Sequence, residues 1–244
     1  MARRILSALG RLWRRLLLLS VLALGAWLVW EAATWPDVKA LGTRAPATTA
    51  FIERYKERER EAGRPPRAAY RFTPYAAISP HVKRAVLVAE DINFFSHGGF
   101  DWGQIRSAVE DALDDKKETA RGASTITQQL AKNLWLSPSR NPLRKVKEAI
   151  LTWQLERSLS KRRIFEIYLN VIELGPGIYG VGPAAEKYFG KPAADLGEDE
   201  AALLAASLPR PSQWHPGVTS RAYQRYAFSI RSRMGKAEFL WKQI

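Results

Sequence analysis

The stretch "AVLVAEDINFFSHGGFD", Ala85 to Asp101, decides how the rest of the chain is read. Just upstream, Ser79 and Pro80 supply an N-cap and a proline at the first helical position. Val82, Ala85, Val86 and Ala89 follow at helical spacing, and Leu87 and Val88 widen the apolar face. This predicts a helix buried on most sides. It ends on two adjacent acids, Glu90 and Asp91, ahead of two aromatics, a histidine and two glycines. Negative charge at a helix C-terminus is disfavoured by the helix dipole, so the pair calls for compensation. One reading is a helix-end acid with a structural role. The other is a general base: a carboxylate that follows an apolar helix loses water, and its proton affinity rises.

Helical signals continue in both directions. Asp101 and Gln104 make a capping-box pattern for a second helix, with a stripe of Trp102, Ile105, Ala108, Val109 and Ala112. "GASTITQQLAKNLWL" reads as a loop that turns into a helix capped near Ser124 or Thr125. Asn141-Pro142 starts a helix to about Leu159, and Ser160 caps the next, through "RIFEIYLNVIEL". Gly182-Pro183 starts a short helix stopped by Gly190, and "EDEAALLAASL" and "SRAYQRYAFSIRSRM" are two more. No segment alternates convincingly as a strand, and there is no internal repeat. The expected fold class is mainly α.

The 244 residues suffice for one domain and an appendage. Thirty-eight Lys and Arg against 24 Asp and Glu give a net charge of +14, which attracts polyanions, acidic headgroups or phosphorylated substrates. The absence of cysteine excludes disulfides, Cys-ligated zinc and thiol nucleophiles. His81, His97 and His215 lie too far apart for a His-rich metal site. The N-terminus carries five arginines and no acid in residues 1–15, then an uncharged run from Leu16 to Trp30. Extended to Trp35 the run is about one bilayer span, with tryptophans towards both ends. The expectation is a basic cytoplasmic segment (1–15), an uncleaved transmembrane helix (16–35), a Pro- and Gly-punctuated stalk (36–65) and an extracytoplasmic domain (66–244). "EAATW" is a weak cleavage site for the competing signal-peptide reading. Outside the cytoplasm, nucleic acid does not explain the charge.

Two further segments carry chemistry. In "RGASTITQQLAKN", Arg121 to Asn133, a small-residue turn at a helix start offers N–H groups to an anion. Gln128 and Gln129 suit sugar hydroxyls, and Lys132 suits a phosphate; the plainer reading is an N-cap and a polar helix face. In "SRNPLRKVKEAILTWQLE", Leu143, Val146, Ile150 and Trp153 share one face. Glu148 lies in a second apolar strip with Leu151 and Leu155, four residues after Arg144. It is either half of an i,i+4 ion pair or a partly buried acid that orients a base or holds a divalent cation. "SLSK", Ser158 to Lys161, matches the Ser-x-x-Lys of acyl enzymes, but no Lys-Thr-Gly completes it.

Taken together, "EDINFFSHGGFD", "RGASTITQQLAKN", "RKVKE", "KRRIFEIYLN" and "KYFGK…EAALLAASLP" resemble, in order and spacing, the peptidoglycan glycosyltransferases of family 51. The resemblance covers about residues 66–216. The short length and single anchor are like its monofunctional members, with no room for a transpeptidase domain.

The resemblance implies a lysozyme-like, two-lobed helical domain with a membrane-touching jaw. It implies polymerisation of lipid II into β-1,4 glycan strands, with inversion and release of undecaprenyl pyrophosphate. Glu90 matches the catalytic base, and Glu148 the second catalytic glutamate, which assists the leaving group through a divalent metal (Mg or Mn) or neighbouring bases. No organic cofactor is implied. Lys132 and Arg140 match pyrophosphate-binding positions, and Gln128, Gln129 and Lys147 match cleft-lining ones; Ser124 and Thr125 belong to the same substrate-binding turn. The implied partners are lipid II, the lipid-linked strand, the bacterial inner membrane and other cell-wall synthesis proteins. A lysozyme-like hydrolase or lytic transglycosylase would share the fold and a catalytic glutamate, but would not need the basic cluster around Glu148. A non-enzymatic basic anchor protein would explain the charge but not the motifs.

Overall fold

The computed structural model describes residues 2–113, 124–139 and 141–244. It divides into two compact units, Met1–Asp37 and Val38–Ile244. The first is one helix, α1 (Ala2–Ala33). Its segment Trp13–Ala33 is 21 residues long and apolar enough to cross a membrane. At 1.5 Å per residue it spans roughly 30 Å, the thickness of a hydrocarbon core. The helix stops two residues short of the expected Trp35 and begins within the basic segment.

The second unit is mainly helical, as expected. After α2 (Ala50–Glu61) come α3 (Pro80–Glu90), α4 (Trp102–Leu113), α5 (Ile126–Trp135), α6 (Pro142–Ser158) and α7 (Lys161–Val171). These are followed by α8 (Val181–Phe189), α9 (Glu198–Ser207) and α10 (Arg221–Lys236). The predicted caps form. Ser79 accepts from His81 N, Asn141 from Leu143 N and Ser160 from Arg163 N, and Gly190 ends α8 in the left-handed conformation. Ser160 is therefore a cap, in keeping with "SLSK" being no acylation motif.

Two groups of helices build the core. In one, α3, α9 and α10 pack on each other; in the other, α5 packs on α6 and α7. The first buries Val82, Val86, Leu87, Leu204, Tyr223 and Ile230. Four buried alanines on α9 (Ala201, Ala202, Ala205, Ala206) leave little side-chain bulk between it and its neighbours. The second group buries Leu130, Leu134, Leu151, Leu155, Ile164 and Phe165. Truncating any of these leucines to alanine should cost about 2–5 kcal/mol.

Three expectations are corrected. The stretch read as a stalk, 36–65, mostly belongs to the domain: Val38, Leu41 and Ile52 are buried, and Arg163 donates to the Leu41 and Arg44 carbonyls. Its charged helix α2 uses Thr49 as N-cap and packs on α5. Second, a small sheet exists. Strands β1 (Ala69–Tyr70), β2 (Glu173–Gly175) and β3 (Ile178–Tyr179) lie in the order β1-β3-β2, with β1 parallel and β2 antiparallel to β3. Strands of two or three residues are too short to show alternation. Third, Trp102 is 72% exposed, so the α4 stripe does not start in the core.

Candidate active site

The loop after α3 is held by its own polar residues. Asp91, 2% exposed, accepts from His97 Nε2 at 3.0 Å and from the backbone N–H of Ile126 at 3.0 Å. It thus ties the end of α3 to the start of α5, where an anion also meets the favourable end of a helix dipole. Asp101 accepts from Gln104 N at 2.9 Å, capping α4, and from Asn93 at 3.1 Å. Gly99 has φ +89°, and a Cβ there would come within 2.9 Å of Glu156 and Thr152 on α6. Thr125 Oγ1 donates to the Gly99 carbonyl at 2.7 Å. Asp91, His97 and the glycine turn therefore anchor the loop, which accounts for the second acid of the pair.

Glu90 ends α3 half-buried, beside a cleft of about 760 Å³. Burial pushes its proton affinity up, and the negative charge of Asp91 adds to this. The Gln129 amide, Lys132 and Arg233 pull the other way. Gln129 Nε2 donates to Glu90 Oε2 at 2.7 Å. A carboxylate with raised proton affinity, open to a cleft, is suited to take a proton from a hydroxyl.

Glu148 is placed differently. It is 3% exposed on the inner face of α6, with Leu151, Thr152 and Leu155. Arg144 Nη1 donates to one of its oxygens at 2.6 Å and Lys145 Nζ to the other. Lys132 on α5 lies in the fields of Glu148 and Glu90; burial lowers its pKa, with both acids opposing. The opposite strip of α6 (Leu143, Val146, Ile150, Trp153) is exposed, from 43% to 61%.

The turn before α5 is built as a cap. Thr125 is the N-cap and Gln128 the third residue of a capping box, in which Gln128 Oε1 accepts from Thr125 N at 3.0 Å. Both are buried. Thr125 Oγ1 and Gln128 Oε1 therefore act in the cap that starts α5. Ser124 is exposed. Lys147 is half-buried on α6, next to Glu148. Arg140, with residues 121–123 of the glutamine motif, lies outside the described residues.

The donor sets do not fit a tightly held divalent cation. Both Glu148 oxygens already meet cationic side chains. Among the described residues Asp91, His97 and Asp101 cluster closely enough to share an ion, but Asp91 and His97 bond each other, and both Asp101 oxygens accept from neighbours.

Sequence reasoning missed one wall of the cleft. Tyr226, Ser229, Arg233 and Lys236 of α10 line it together with Glu90 and Asn93. Arg233 Nη1 donates to the Val88 carbonyl at 3.0 Å, near the free end of α3. The signal was the three- and four-residue spacing of these four polar residues, which puts them on one face of a helix.

The model of the transglycosylase family matches residues 59–235. The chain belongs to this family. A biosynthetic peptidoglycan transglycosylase of Azoarcus sp. (strain BH72) is 43% identical over 227 residues, 93% of this chain and 97% of the relative. One from Laribacter hongkongensis is 46% identical over 189 residues, 78% and 82% of the two chains. One from Dechloromonas aromatica is 40% identical over 233 residues, 96% and 99%. The family match begins inside α2, consistent with that helix packing into the domain rather than forming a stalk.

Proposed function

We propose that the chain polymerises lipid II into β-1,4-linked glycan strands, with Glu90 as the base. The observation that carries this reading is a half-buried carboxylate of raised proton affinity at a cleft, with Lys132 lying in its field and in that of Glu148. Glu90 takes the proton from the acceptor sugar's 4-hydroxyl. The oxygen bonds to the donor's anomeric carbon as the bond from that carbon to the pyrophosphate oxygen breaks, with inversion. The electron pair leaves on undecaprenyl pyrophosphate. Lys132, Arg144 and Lys145 supply positive charge where the leaving group becomes more negative. Glu148 holds two of these cations in place and needs no metal to do so.

The apolar helix Trp13–Ala33 supports an anchor in the bacterial inner membrane, N-terminus inside and domain outside. The exposed apolar strip of α6 supports contact of that helix with lipid, where a polyprenyl substrate resides. Full-length protein in detergent with labelled lipid II tests the reading. Long glycan strands are expected; failure to extend lipid II, with shortening of preformed glycan, would instead mark a hydrolase.

A further inference from the structure

Tyr168 sits on α7 in the segment "KRRIFEIYLN" and is fully buried. The other polar side chains of this segment have partners away from the cleft. Glu166 accepts from Tyr75 N, and Asn170 bonds both the N–H and the carbonyl of Thr73. Arg163 donates to the Leu41 and Arg44 carbonyls, Lys161 to Glu156, and Arg162 lies over the Tyr75 ring. Tyr168 alone points at the site. Its hydroxyl donates to Gln129 Oε1 at 2.9 Å, and Gln129 Nε2 donates to Glu90 Oε2 at 2.7 Å. The same nitrogen also approaches the Ser124 carbonyl at 3.4 Å.

A buried hydroxyl is unfavourable unless it has a partner, and phenylalanine would fill the same space without that demand. A glutamine amide has two nearly isosteric faces with opposite hydrogen-bonding character. Turned over, Gln129 would present oxygen, not NH2, to an ionised Glu90. We propose that Tyr168 is a positioning residue, whose hydroxyl fixes the Gln129 amide so that its NH2 group faces the carboxylate of Glu90. The inference rests on Glu90 being the base. The relay favours the ionised base and holds the carboxylate in one orientation, with Oε2 occupied and Oε1 left to meet the acceptor hydroxyl.

The charged and titratable groups around Glu90 are Asp91 after its own helix, Lys132 from α5, Tyr168 from α7, and Tyr226 and Arg233 from α10. His97 acts on it through Asp91. Tyr168→Phe changes none of these charges in the working pH range. The test is kcat/KM against pH on labelled lipid II, with full-length protein in detergent. In Tyr168→Phe the acid limb should move up by roughly 0.5–1 pH unit, the effect of one lost neutral hydrogen bond. Activity at a fixed pH on the acid limb should fall several-fold and recover towards alkaline pH. A superimposable limb, or an equal loss at every pH, would overturn the relay.

Two further variants keep the result decisive. Fluorotyrosine at position 168 keeps the ring and strengthens the donor, so the limb should move the other way; no movement counts against the relay. On a Gln129→Ala background, Tyr168→Phe should add nothing, and multiplying losses would show that Tyr168 does not act through Gln129. Glu90→Gln separates the two readings. Near-normal turnover in that variant removes the base itself; an inactive Glu90→Gln with an unmoved Tyr168→Phe limb removes only the relay.

Discussion

Glu90 and Glu148 are the same side chain in opposite settings. Glu90 ends a helix, half-buried, with a neutral amide on one oxygen and cations acting only from a distance. Glu148 lies mid-helix, more deeply buried, with a guanidinium on one oxygen and an ammonium on the other. A direct cation stabilises the ionised form and takes up the lone pairs a proton would need. Burial without one does the reverse. The first acid is therefore fit to move a proton, and the second to hold positive charge in place.

Substitution by glutamine should split the two sites. Glu90→Gln should lower turnover of lipid II about 10²–10⁴-fold, the usual contribution of a general base, and still bind substrate. A variant with near-normal turnover would break the comparison on the catalytic side. Glu148→Gln leaves Arg144 and Lys145 without their counter-charge. Breaking a fully buried pair costs about 3–5 kcal/mol. Lys145 is half exposed, so about 2 kcal/mol is expected here, or roughly 4–8 °C in thermal unfolding. An unchanged Tm would show that the clamp contributes nothing. Asp91→Asn should cost about 1–2 kcal/mol, by weakening the tie from the end of α3 to Ile126 N and His97, again read as Tm.

The smallest effect concerns stability and pH. Glu90 binds its proton more tightly in the folded state than at the ordinary value of 4.5. Its contribution to stability is therefore complete below that value and is lost as pH rises through the folded pKa. Glutamine does not ionise. Glu90→Gln should thus melt slightly above the unsubstituted protein at neutral pH, with the gap closing as pH falls to about 4.5. A gap that widens on acidification would reverse the assigned environment.

Much of this was legible in the chain. Caps at Ser79, Asn141 and Ser160 and the stop at Gly190 marked helix ends, because each is a local matter of one side chain or one conformation. The strip of Glu148, Leu151 and Leu155 was visible as periodicity, and it is buried. What stayed hidden depends on partners far away in sequence. The wheel of α6 showed two apolar faces, and only packing against α5 and α7 decides that Leu143, Val146, Ile150 and Trp153 are the exposed one. Gln128 and Gln129 are adjacent and alike, yet one closes a cap and the other reaches Glu90, 39 residues away. Asp91 explains itself only once Ile126, 35 residues on, is seen to donate to it. Prolines and glycines suggested a stalk over 36–65, but the buried Ile52 and the contact of α2 with α5 draw that stretch into the domain.

The pH dependence of kcat/KM for lipid II, measured on the unsubstituted protein in detergent, tests the central claim most directly. The claim predicts a one-proton acid limb lying above the ordinary carboxylate value of 4.5, since burial raises the proton affinity of Glu90. A limb at or below 4.5 would contradict it, because the titrating acid would then be one whose charged form is stabilised rather than one penalised by burial.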